Sequence, residues 1–305
     1  GGNRVFTRPP NLLVLLSLSI ILVIKLLFVD LSMKNIDDLL NPYYIRDFLS
    51  LESKLLVPVI QVYENIESTN NVLLEKNCIY PNGHACFAEN QTNGRGMHGK
   101  TWISSKNNIC FSVSWNFEKA LEKAHMLNYA IAVEVVKSLN DIGFKNIKLK
   151  WPNDLIYNNA KLGGILIDLI NKKNKKIYLV VGLGINLETS KNDNDEIDQR
   201  ISDLKSVCKN SITIEKNKIA AILLDAVITC LSKFEQCNYK KLSEDWNFID
   251  YNYNQVKKIL VNKKEISVKL MGINELGQLS CFHDNKIHTY DINEVQIVKN
   301  EFLRD

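Results

Sequence analysis

Three segments of the chain carry residue types that could bind an anion or a flat ligand. The first, from Gln91 to Trp102 (QTNGRGMHGKTW), contains three glycines spaced as GxGxxG. Glycines let the backbone approach an anion, and the guanidinium group of Arg95 can donate to the same anion with two parallel N–H groups. Trp102 could stack on a ligand ring. A GxGxxG alone is a weak signal, and here it lacks the βαβ context of a dinucleotide-binding fold.

The second segment combines Lys150–Asp154 (KWPND) with Lys161–Leu166 (KLGGIL). Lys161 begins an apolar strand, so its ammonium group could lie in a half-buried pocket where a ligand charge is felt strongly. Gly163 and Gly164 remove side chains where a ligand must pass the sheet. Taken alone, an ordinary hairpin turn with surface lysines explains this segment equally well.

The third segment is Gly182–Leu187 (GLGINL), which places two glycines inside a strand-like run. Such glycines indicate close approach of another element or of a ligand, and Asn186 could supply a polar contact. For this segment by itself, a β-bulge with a structural asparagine is the better interpretation.

Hydrophobic periodicity predicts the elements that position these segments. Strands are expected at 57–66, 85–89, 109–115, 147–150, 155–157, 161–170 and 177–187, with a loop at 91–99 and a charged hairpin tip at 172–176. Helices are expected within 36–50, after the N-cap residues Ser68, Thr69 and Asn70, and over 126–142 and 214–234. From about Tyr253 onward, short strands at regular spacing are typical of a small all-β barrel.

Composition limits the function only broadly. The 305 residues suffice for one large domain and a smaller one, and a net charge of +4 suits an anionic small molecule but not a nucleic-acid footprint. Seven cysteines without a CxxC or a Cys/His cluster predict reduced thiols and no zinc site.

The N-terminal region contains an apolar run from Leu12 to Val29, preceded by Arg4 and Arg8. It could be a membrane anchor, a signal-like segment or a non-native leader before Met33. No small-residue cleavage site follows the run, so secretion is the least expected outcome. We expect residues 1–32 to be a non-essential leader.

Four elements in this order and spacing resemble the biotin–protein ligase family from about Leu40 onward. They are ESTN (Glu67–Asn70), QxxGRGxxGxxW (91–102), KWPND with KLGGIL (150–166), and GLGINL (182–187). Lipoate–protein ligases share the family fold, but KWPND is not among their motifs. The resemblance implies an α+β fold: a mixed-sheet catalytic domain over 33–250 and a small SH3-like β-barrel over 251–305. Some family members carry a DNA-binding winged helix, which residues 1–32 do not resemble, so DNA binding is not expected.

The resemblance implies a two-step reaction. Biotin's carboxylate attacks the α-phosphate of ATP to give biotinyl-5′-AMP, and a lysine of a biotin carboxyl carrier protein then takes the biotinyl group. Mg²⁺ is expected to arrive with the ATP phosphates, without a metal site on the protein. A homodimer and a cytoplasmic location are expected, the alternative being an anchor through residues 12–29. A lipoate or octanoate ligase and a non-catalytic regulator that binds biotinyl-adenylate remain alternative functions.

The resemblance also assigns site residues. The catalytic residues are Lys161, Arg95 and Asp154, of which Asp154 would orient or deprotonate the acceptor lysine or merely stabilise its turn. The biotin-binding residues are Ser68, Thr69, Asn70, Gln91, Gly94, Arg95, Gly96, Met97, Lys161, Gly164 and Leu166. The nucleotide-binding residues are Arg95, Gly96, Met97, Trp102, Asn153, Lys161 and Asn186.

Position 97 departs from the family pattern, which commonly has a second arginine after GRG where this chain has Met97. One cation fewer should weaken the grip of the loop on the adenylate. We therefore expect faster loss of the intermediate than from an enzyme with that arginine.

Overall fold

The computed structural model describes residues 39–75, 78–103, 107–119, 121, 123–171, 176–189, 200–208 and 215–298. The expected leader at 1–32 and nearly all of the hairpin tip expected at 172–176 lie outside the described residues. Within the described part of the chain, no helix combines the length and the apolar character needed to cross a bilayer. The seven cysteines are free thiols in this structure.

A seven-stranded mixed sheet forms the centre of the fold, with strand order β1-β2-β5-β9-β8-β7-β6. Its strands are β1 (Ile60–Ile66), β2 (Ala85–Gln91), β5 (Asn108–Phe117), β6 (Lys148–Lys150), β7 (Asp154–Tyr157), β8 (Ala160–Asn171) and β9 (Ile177–Asn186). The pair β1/β2 is parallel and the other neighbours are antiparallel, so the prediction of a mixed sheet is confirmed.

Two short strands, β3 (Gly94–Arg95) and β4 (Thr101–Trp102), form a separate antiparallel hairpin. The expectation of a loop over 91–99 is therefore wrong in part. The segment pairs with itself, because the 3₁₀ turn Met97–Gly99 reverses the chain and Gly96 N–H donates to the carbonyl of Lys100 at 2.7 Å.

The described helices are α1 (Pro42–Phe48), α2 (Leu51–Leu56), α3 (Thr69–Leu73), α4 (Met126–Asp141), α5 (Leu204–Cys208), α6 (Lys216–Lys233) and α7 (Tyr239–Ile249). Helix α4 buries ten of its residues and α6 eleven, and the two helices pack together over one face of the central sheet. Helix α7 was not predicted, because only Leu242 and Trp246, one turn apart, mark its buried side in a charged sequence.

The two faces of the central sheet differ in side-chain size. Directly paired residues of neighbouring strands project to the same face. One face presents large apolar residues to the helices. The opposite face contains two rows of mostly small residues. They are Gly164–Gly184–Cys110–Ala88 and Leu166–Gly182–Ser112–Cys86. These rows leave room above the sheet.

A five-stranded antiparallel sheet follows, with order β13-β12-β11-β10-β14. Its strands are β10 (Val256–Val261), β11 (Lys264–Ile273), β12 (Leu279–His283), β13 (Lys286–Tyr290) and β14 (Val295–Ile297). The prediction of a small β domain is confirmed, but among the described residues no hydrogen-bonded ladder joins β13 to β14, so the sheet is not closed by backbone pairing.

The C-terminal sheet packs against helices α4 and α7, and the described residues from Leu40 onward form one compact unit. The hydroxyl of Tyr129 on α4 donates to the carbonyl of Gly277 in the β11–β12 turn at 3.2 Å. At the other contact, Tyr251 N–H donates to the carbonyl of Leu149 on β6 at 2.7 Å. The expected domain boundary at 250/251 stays a prediction.

Candidate active site

A cleft of about 1140 Å³ opens over the small-residue face of the central sheet. Its walls come from α3, the β3–β4 hairpin, the KWPND turn and the C-terminal sheet. The C-terminal contribution consists of Leu260, Asn262, Lys263 and residues 292–297. Both sheets therefore shape the same cleft.

Glycines keep the floor of the cleft open. A Cβ atom at Gly182 would lie 2.3 Å from Oδ1 of Asn70, and one at Gly184 would lie 2.6 Å from the Trp102 ring. At Gly164 the nearest atom to a Cβ would be 3.5 Å away, an ordinary contact. The first two glycines therefore let neighbouring side chains sit directly on the sheet, whereas Gly164 leaves space for a ligand.

Buried polar groups line the end of the cleft beside α3. Ser68 occupies the N-cap position as predicted, but its side chain makes no capping hydrogen bond. Thr69 donates through its N–H and its hydroxyl to Oε1 of Gln91, at 2.9 and 3.2 Å, and Ser112 lies 2.7 Å from the Thr69 hydroxyl. This network offers hydrogen-bonding groups to a polar ligand in a buried setting.

Arg95 lies at the same end of the cleft, on β3. Its two terminal nitrogens donate to the two carboxylate oxygens of Asp168 at 2.9 and 3.0 Å, and one of them also donates to Oδ1 of Asn71 at 3.2 Å. Asp168 in addition accepts from Nδ2 of Asn70 at 2.8 Å. A bidentate ion pair of this kind fixes the plane of the guanidinium group.

Trp102 belongs to β4, the other strand of the hairpin, and lies over the floor of the cleft. Its ring packs on Gly184 and its indole N–H donates to Sγ of Cys110 at 3.2 Å. The ammonium group of Lys161 lies 5.8 Å from the ring centroid. Trp102 thus connects the hairpin to Lys161.

Lys161 and Asp154 form an ion pair on the neighbouring strands β8 and β7, with 2.6 Å between Nζ and Oδ1. About a quarter of each side chain is exposed, 24% for Lys161 and 21% for Asp154. The pair lies directly beside Gly164, where a ligand can approach. The half-buried lysine expected from the sequence is present, together with a counter-ion that limits the cost of its burial.

Residues behind the KWPND turn hold it in place. Asn153 donates through Nδ2 to the carbonyl of Ile165 at 2.8 Å, and Asn128 on α4 donates to the carbonyl of Pro152 at 2.6 Å. The Trp151 indole donates to the Tyr129 hydroxyl at 3.0 Å. Burial raises the pKa of Tyr129 to about 12, so this hydroxyl keeps its proton and donates onward to the C-terminal sheet.

The side-chain amide of Asn186 bonds to backbone carbonyls of the protein. Its Nδ2 donates to the carbonyl of Ser202 at 2.9 Å and contacts that of Lys161 at 3.4 Å. The backbone of Lys161 also pairs with the segment around Ser202. The interpretation of Asn186 as a structural asparagine therefore has direct geometric support, although the residue also borders the cleft.

The cleft brings together every site residue expected from the sequence except Gly94. Gly94 pairs with Trp102 across the hairpin, where a Cβ would come 2.4 Å from the Trp102 carbonyl oxygen. The sequence reasoning missed Asp168 and Ser112. Strand alternation could have placed Asp168 on the face of Leu166, two residues before it, but not beside Arg95. Ser112 reaches that face through its pairing with Gly182, which the sequence alone does not give.

Among the described residues, no group of three or more His, Cys, Asp or Glu side chains is arranged to hold a metal ion. Five cations line the cleft, Arg95, Lys100, Lys150, Lys161 and Lys263, against two carboxylates, Asp154 and Glu294. Two of these cations, Arg95 and Lys161, each lie beside one aspartate. Their arrangement suits a ligand that carries more than one negative charge.

Comparison with known proteins agrees with this geometry. Residues 62–186 match the family model described as the biotin/lipoate A/B protein ligase family. The bifunctional ligase/repressor BirA of Salmonella typhimurium is 30% identical over 258 residues, covering 84% of this chain and 80% of the relative. The biotin–[acetyl-CoA-carboxylase] ligase of Mycobacterium tuberculosis is 29% identical over 147 residues, covering 47% of this chain and 52% of the relative.

A solved structure is also similar. The biotin protein ligase from Aquifex aeolicus in complex with biotin and ATP superimposes with a TM-score of 0.65 at 26% identity, covering 79% of this chain and 98% of the other. The motifs, the mixed sheet with its C-terminal β domain, and the similarity to BirA over most of both chains agree. The chain belongs to the biotin–protein ligase family.

Proposed function

We propose that this chain activates biotin with ATP to give biotinyl-5′-AMP, and then transfers the biotinyl group to a lysine of a biotin carboxyl carrier protein. The observation that carries the proposal is the convergence of Arg95 and Lys161 on one cleft with a small-residue floor. The relative from Aquifex aeolicus binds biotin and ATP, and the name of the Mycobacterium relative specifies acetyl-CoA carboxylase as its target.

In the first step, a carboxylate oxygen of biotin attacks the α-phosphorus of ATP. The bond from that phosphorus to the bridging oxygen breaks, and pyrophosphate leaves with the electron pair. Two anions must meet, and unit charges 4 Å apart repel by about 4 kcal/mol at an effective dielectric constant of 20. Lys161, held beside Gly164, offsets this repulsion where carboxylate and phosphate come together.

In the second step, the amine of the carrier lysine attacks the acyl carbon of the mixed anhydride. The bond from that carbon to the phosphate oxygen breaks, AMP leaves, and an amide forms. The attacking nitrogen must lose a proton, and the carboxylate of Asp154 is the proposed acceptor. Asp154 borders the cleft 2.6 Å from Lys161, so a proton acceptor and a charge stabiliser lie side by side.

The two ends of the cleft suit the two ends of the intermediate. We assign the biotin ring to the polar end formed by Ser68, Thr69, Asn70 and Gln91. The first three are buried and Gln91 is half-buried, so their polar groups can pair with a ureido group. The apolar body of biotin would lie along Leu166. The adenylate is assigned to the side of Trp102 and Asn153, and Mg²⁺ is taken to enter with the ATP phosphates as part of the substrate.

The test is ATP-dependent transfer of labelled biotin to a purified biotin carboxyl carrier domain. We expect transfer by the native chain and its loss in Lys161→Ala. Lys205→Ala is the matched control, because Lys205 forms an ion pair of the same 2.6 Å length with Glu188 on the surface. Absence of transfer by the native chain would contradict the proposal.

Parallel assays with lipoate and octanoate address the alternative ligase function. ATP–pyrophosphate exchange driven by either acid and not by biotin would identify a lipoate- or octanoate-activating enzyme. Binding of biotinyl-adenylate without transfer would identify a regulator. A homodimer and a cytoplasmic location stay predictions.

A further inference from the structure

The β3–β4 hairpin stands apart from both larger sheets. Within the described residues it shares no ladder with either of them. Each of its strands has two residues, and such a short isolated hairpin is not stable by itself in water. Its base is fixed by backbone hydrogen bonds from Thr92 and Asn93 to the carbonyls of Ile66 and Glu67, at 2.8 and 2.9 Å. Beyond that base, contacts from its side chains to the central sheet hold it over the cleft.

Two side chains of the hairpin make such contacts, one from each strand. Trp102 on β4 packs on Gly184 and donates to Cys110. Arg95 on β3 forms its bidentate pair with Asp168 on β8. The hairpin is thus fixed to β9 and β5 through an aromatic ring, and to β8 through a charge pair.

Asp168 joins three elements through one carboxylate. Its Oδ2 accepts from Arg95 at 2.9 Å and from Nδ2 of Asn70 on α3 at 2.8 Å, while its Oδ1 accepts from Arg95 at 3.0 Å. Asn70 in turn accepts from the hydroxyl of Ser112 on β5. The carboxylate therefore sets the distance between the hairpin and the polar end of the cleft.

We infer that Asp168 is a positioning residue for biotin binding, acting by fixing Arg95 and the β3–β4 hairpin over the polar end of the cleft. The inference rests on the proposed biotin ligation. Asp168 is not among the residues that line the cleft, so it acts through Arg95 and Asn70. Three donor contacts of Arg95 go to Asp168 and Asn71, and a guanidinium group has five N–H donors, so donors remain for a ligand anion.

The decisive variant is Asp168→Asn, which keeps the shape of the side chain but removes its charge and one of its acceptors. Without the bidentate pair, the hairpin is in place in only a fraction of the molecules, and the apparent affinity for biotin is the intrinsic affinity multiplied by that fraction. We expect the KM for biotin to rise about three- to tenfold, with kcat changed less than about twofold. Asp168→Glu, which retains the charge, should restore part of the loss.

Asp245→Asn is the matched control. Asp245 is 20% exposed against 22% for Asp168, and it also accepts from two partners, Lys137 at 2.7 Å and Lys241 at 2.8 Å. It lies outside the cleft lining. We expect Asp245→Asn to leave the KM for biotin unchanged. That result would show that the effect of Asp168→Asn is specific to Asp168 and does not follow from the loss of any paired carboxylate.

A second readout needs no activity. Phenylglyoxal modifies exposed arginine side chains, and the rate at Arg95 can be followed by mass spectrometry of its peptide without ligand. We expect this rate to rise severalfold in Asp168→Asn and to stay at the native value in Asp245→Asn. An unchanged rate at Arg95 would overturn the inference, whatever the kinetics.

Two kinetic outcomes would also overturn it. Tighter biotin binding in Asp168→Asn would mean that the carboxylate competes with the ligand for Arg95, and a fall in kcat at constant KM would place Asp168 in the chemistry. If the native chain transfers no biotin, the proposed function fails, while the Arg95 modification rate still decides whether Asp168 fixes the hairpin.

Discussion

Two cations of the cleft, Arg95 and Lys161, each lie beside one aspartate, but the contacts that hold them in place differ. Lys161 and Asp154 belong to neighbouring strands of the central sheet, which a backbone ladder keeps in register. Arg95 lies in a hairpin outside that sheet, and only side chains join it to Asp168. The difference teaches that one cation is placed by backbone geometry and the other by contacts that a ligand can rearrange. We therefore expect Lys161 to matter most for the chemical step and Arg95 for holding the ligand.

Exchanging each cation for alanine gives the largest expected effects. Lys161→Ala should lower kcat about 100- to 1000-fold, the range found when one preorganised donor at a reacting oxyanion is removed. Arg95→Ala should mainly raise the KM for biotin. Steady-state kinetics with the carrier domain measure both. Equal losses of kcat in the two variants would show that the different supports have no functional meaning.

Gly182→Ala tests the floor beneath α3. The added Cβ would lie 2.3 Å from Oδ1 of Asn70, so Asn70 must move away from Asp168 and Ser112. We expect biotin affinity, measured by calorimetry, to fall about tenfold, in keeping with the misplacement of buried polar groups. Gly164→Ala adds the same methyl group without a clash in the free protein, since the nearest atom is 3.5 Å away. It should therefore leave the thermal midpoint of unfolding unchanged, whereas Gly182→Ala should lower it.

Met97→Arg would add a cation to the β3–β4 hairpin, which carries Arg95. Met97 borders the cleft, so an arginine there could reach the phosphate of the adenylate. We expect biotinyl-adenylate to dissociate about two- to fivefold more slowly, the scale of a half-exposed ion pair. Met97→Leu is the control for side-chain bulk. An off-rate in Met97→Arg equal to that of the native chain would sink the idea that residue 97 sets retention.

Asp250→Asn should leave the reaction unchanged but alter the free energy of unfolding. The backbone of Asp250 forms a β-bridge with that of Leu149 on β6, close to the KWPND turn. Burial raises the pKa of the Asp250 carboxyl group from 3.8 to about 6. Between these values the folded chain holds more protons than the unfolded chain, so its contribution to stability falls as pH rises from about 4 to 6. A rise in pKa from 3.8 to about 6 corresponds to about 3 kcal/mol, an upper bound for the stability that the variant gains at pH 7.

Urea unfolding at pH 4 and pH 7 measures this effect. The advantage of Asp250→Asn should be small at pH 4 and larger at pH 7. Asp284→Asn, which changes an exposed carboxylate in the turn between β12 and β13, serves as the control. The same advantage at both pH values would rule out a role for the ionisation of Asp250.

The side of the cleft formed by Lys161, Gly164 and the KWPND turn could be predicted from the sequence, because these residues are close together along the chain. Lys161 and Gly164 lie within one strand, and the KWPND turn sits just upstream, so local spacing already brings their chemistry together. The strands also follow from hydrophobic alternation, and most observed bounds lie within a few residues of the predicted ones.

The side of the cleft formed by the β3–β4 hairpin and α3 could not be predicted in the same way. Arg95 and Asp168 are 73 residues apart, and only the pairing of β8 with β9 brings Asp168 to the face on which α3 lies. Asn186 was expected near the nucleotide, but its amide faces backbone carbonyls that sequence alone does not place there. Strand register carries this information, and register depends on contacts between distant segments.

The C-terminal wall of the cleft has a consequence for how the protein is made. Strand β14 follows the KWPND turn by more than a hundred residues, yet it lines the same cleft. A ribosome must therefore synthesise and release this strand before the cleft has all of its walls. A nascent chain whose central sheet has already folded would still lack a complete binding site, so biotin and ATP are not fully enclosed until late in synthesis.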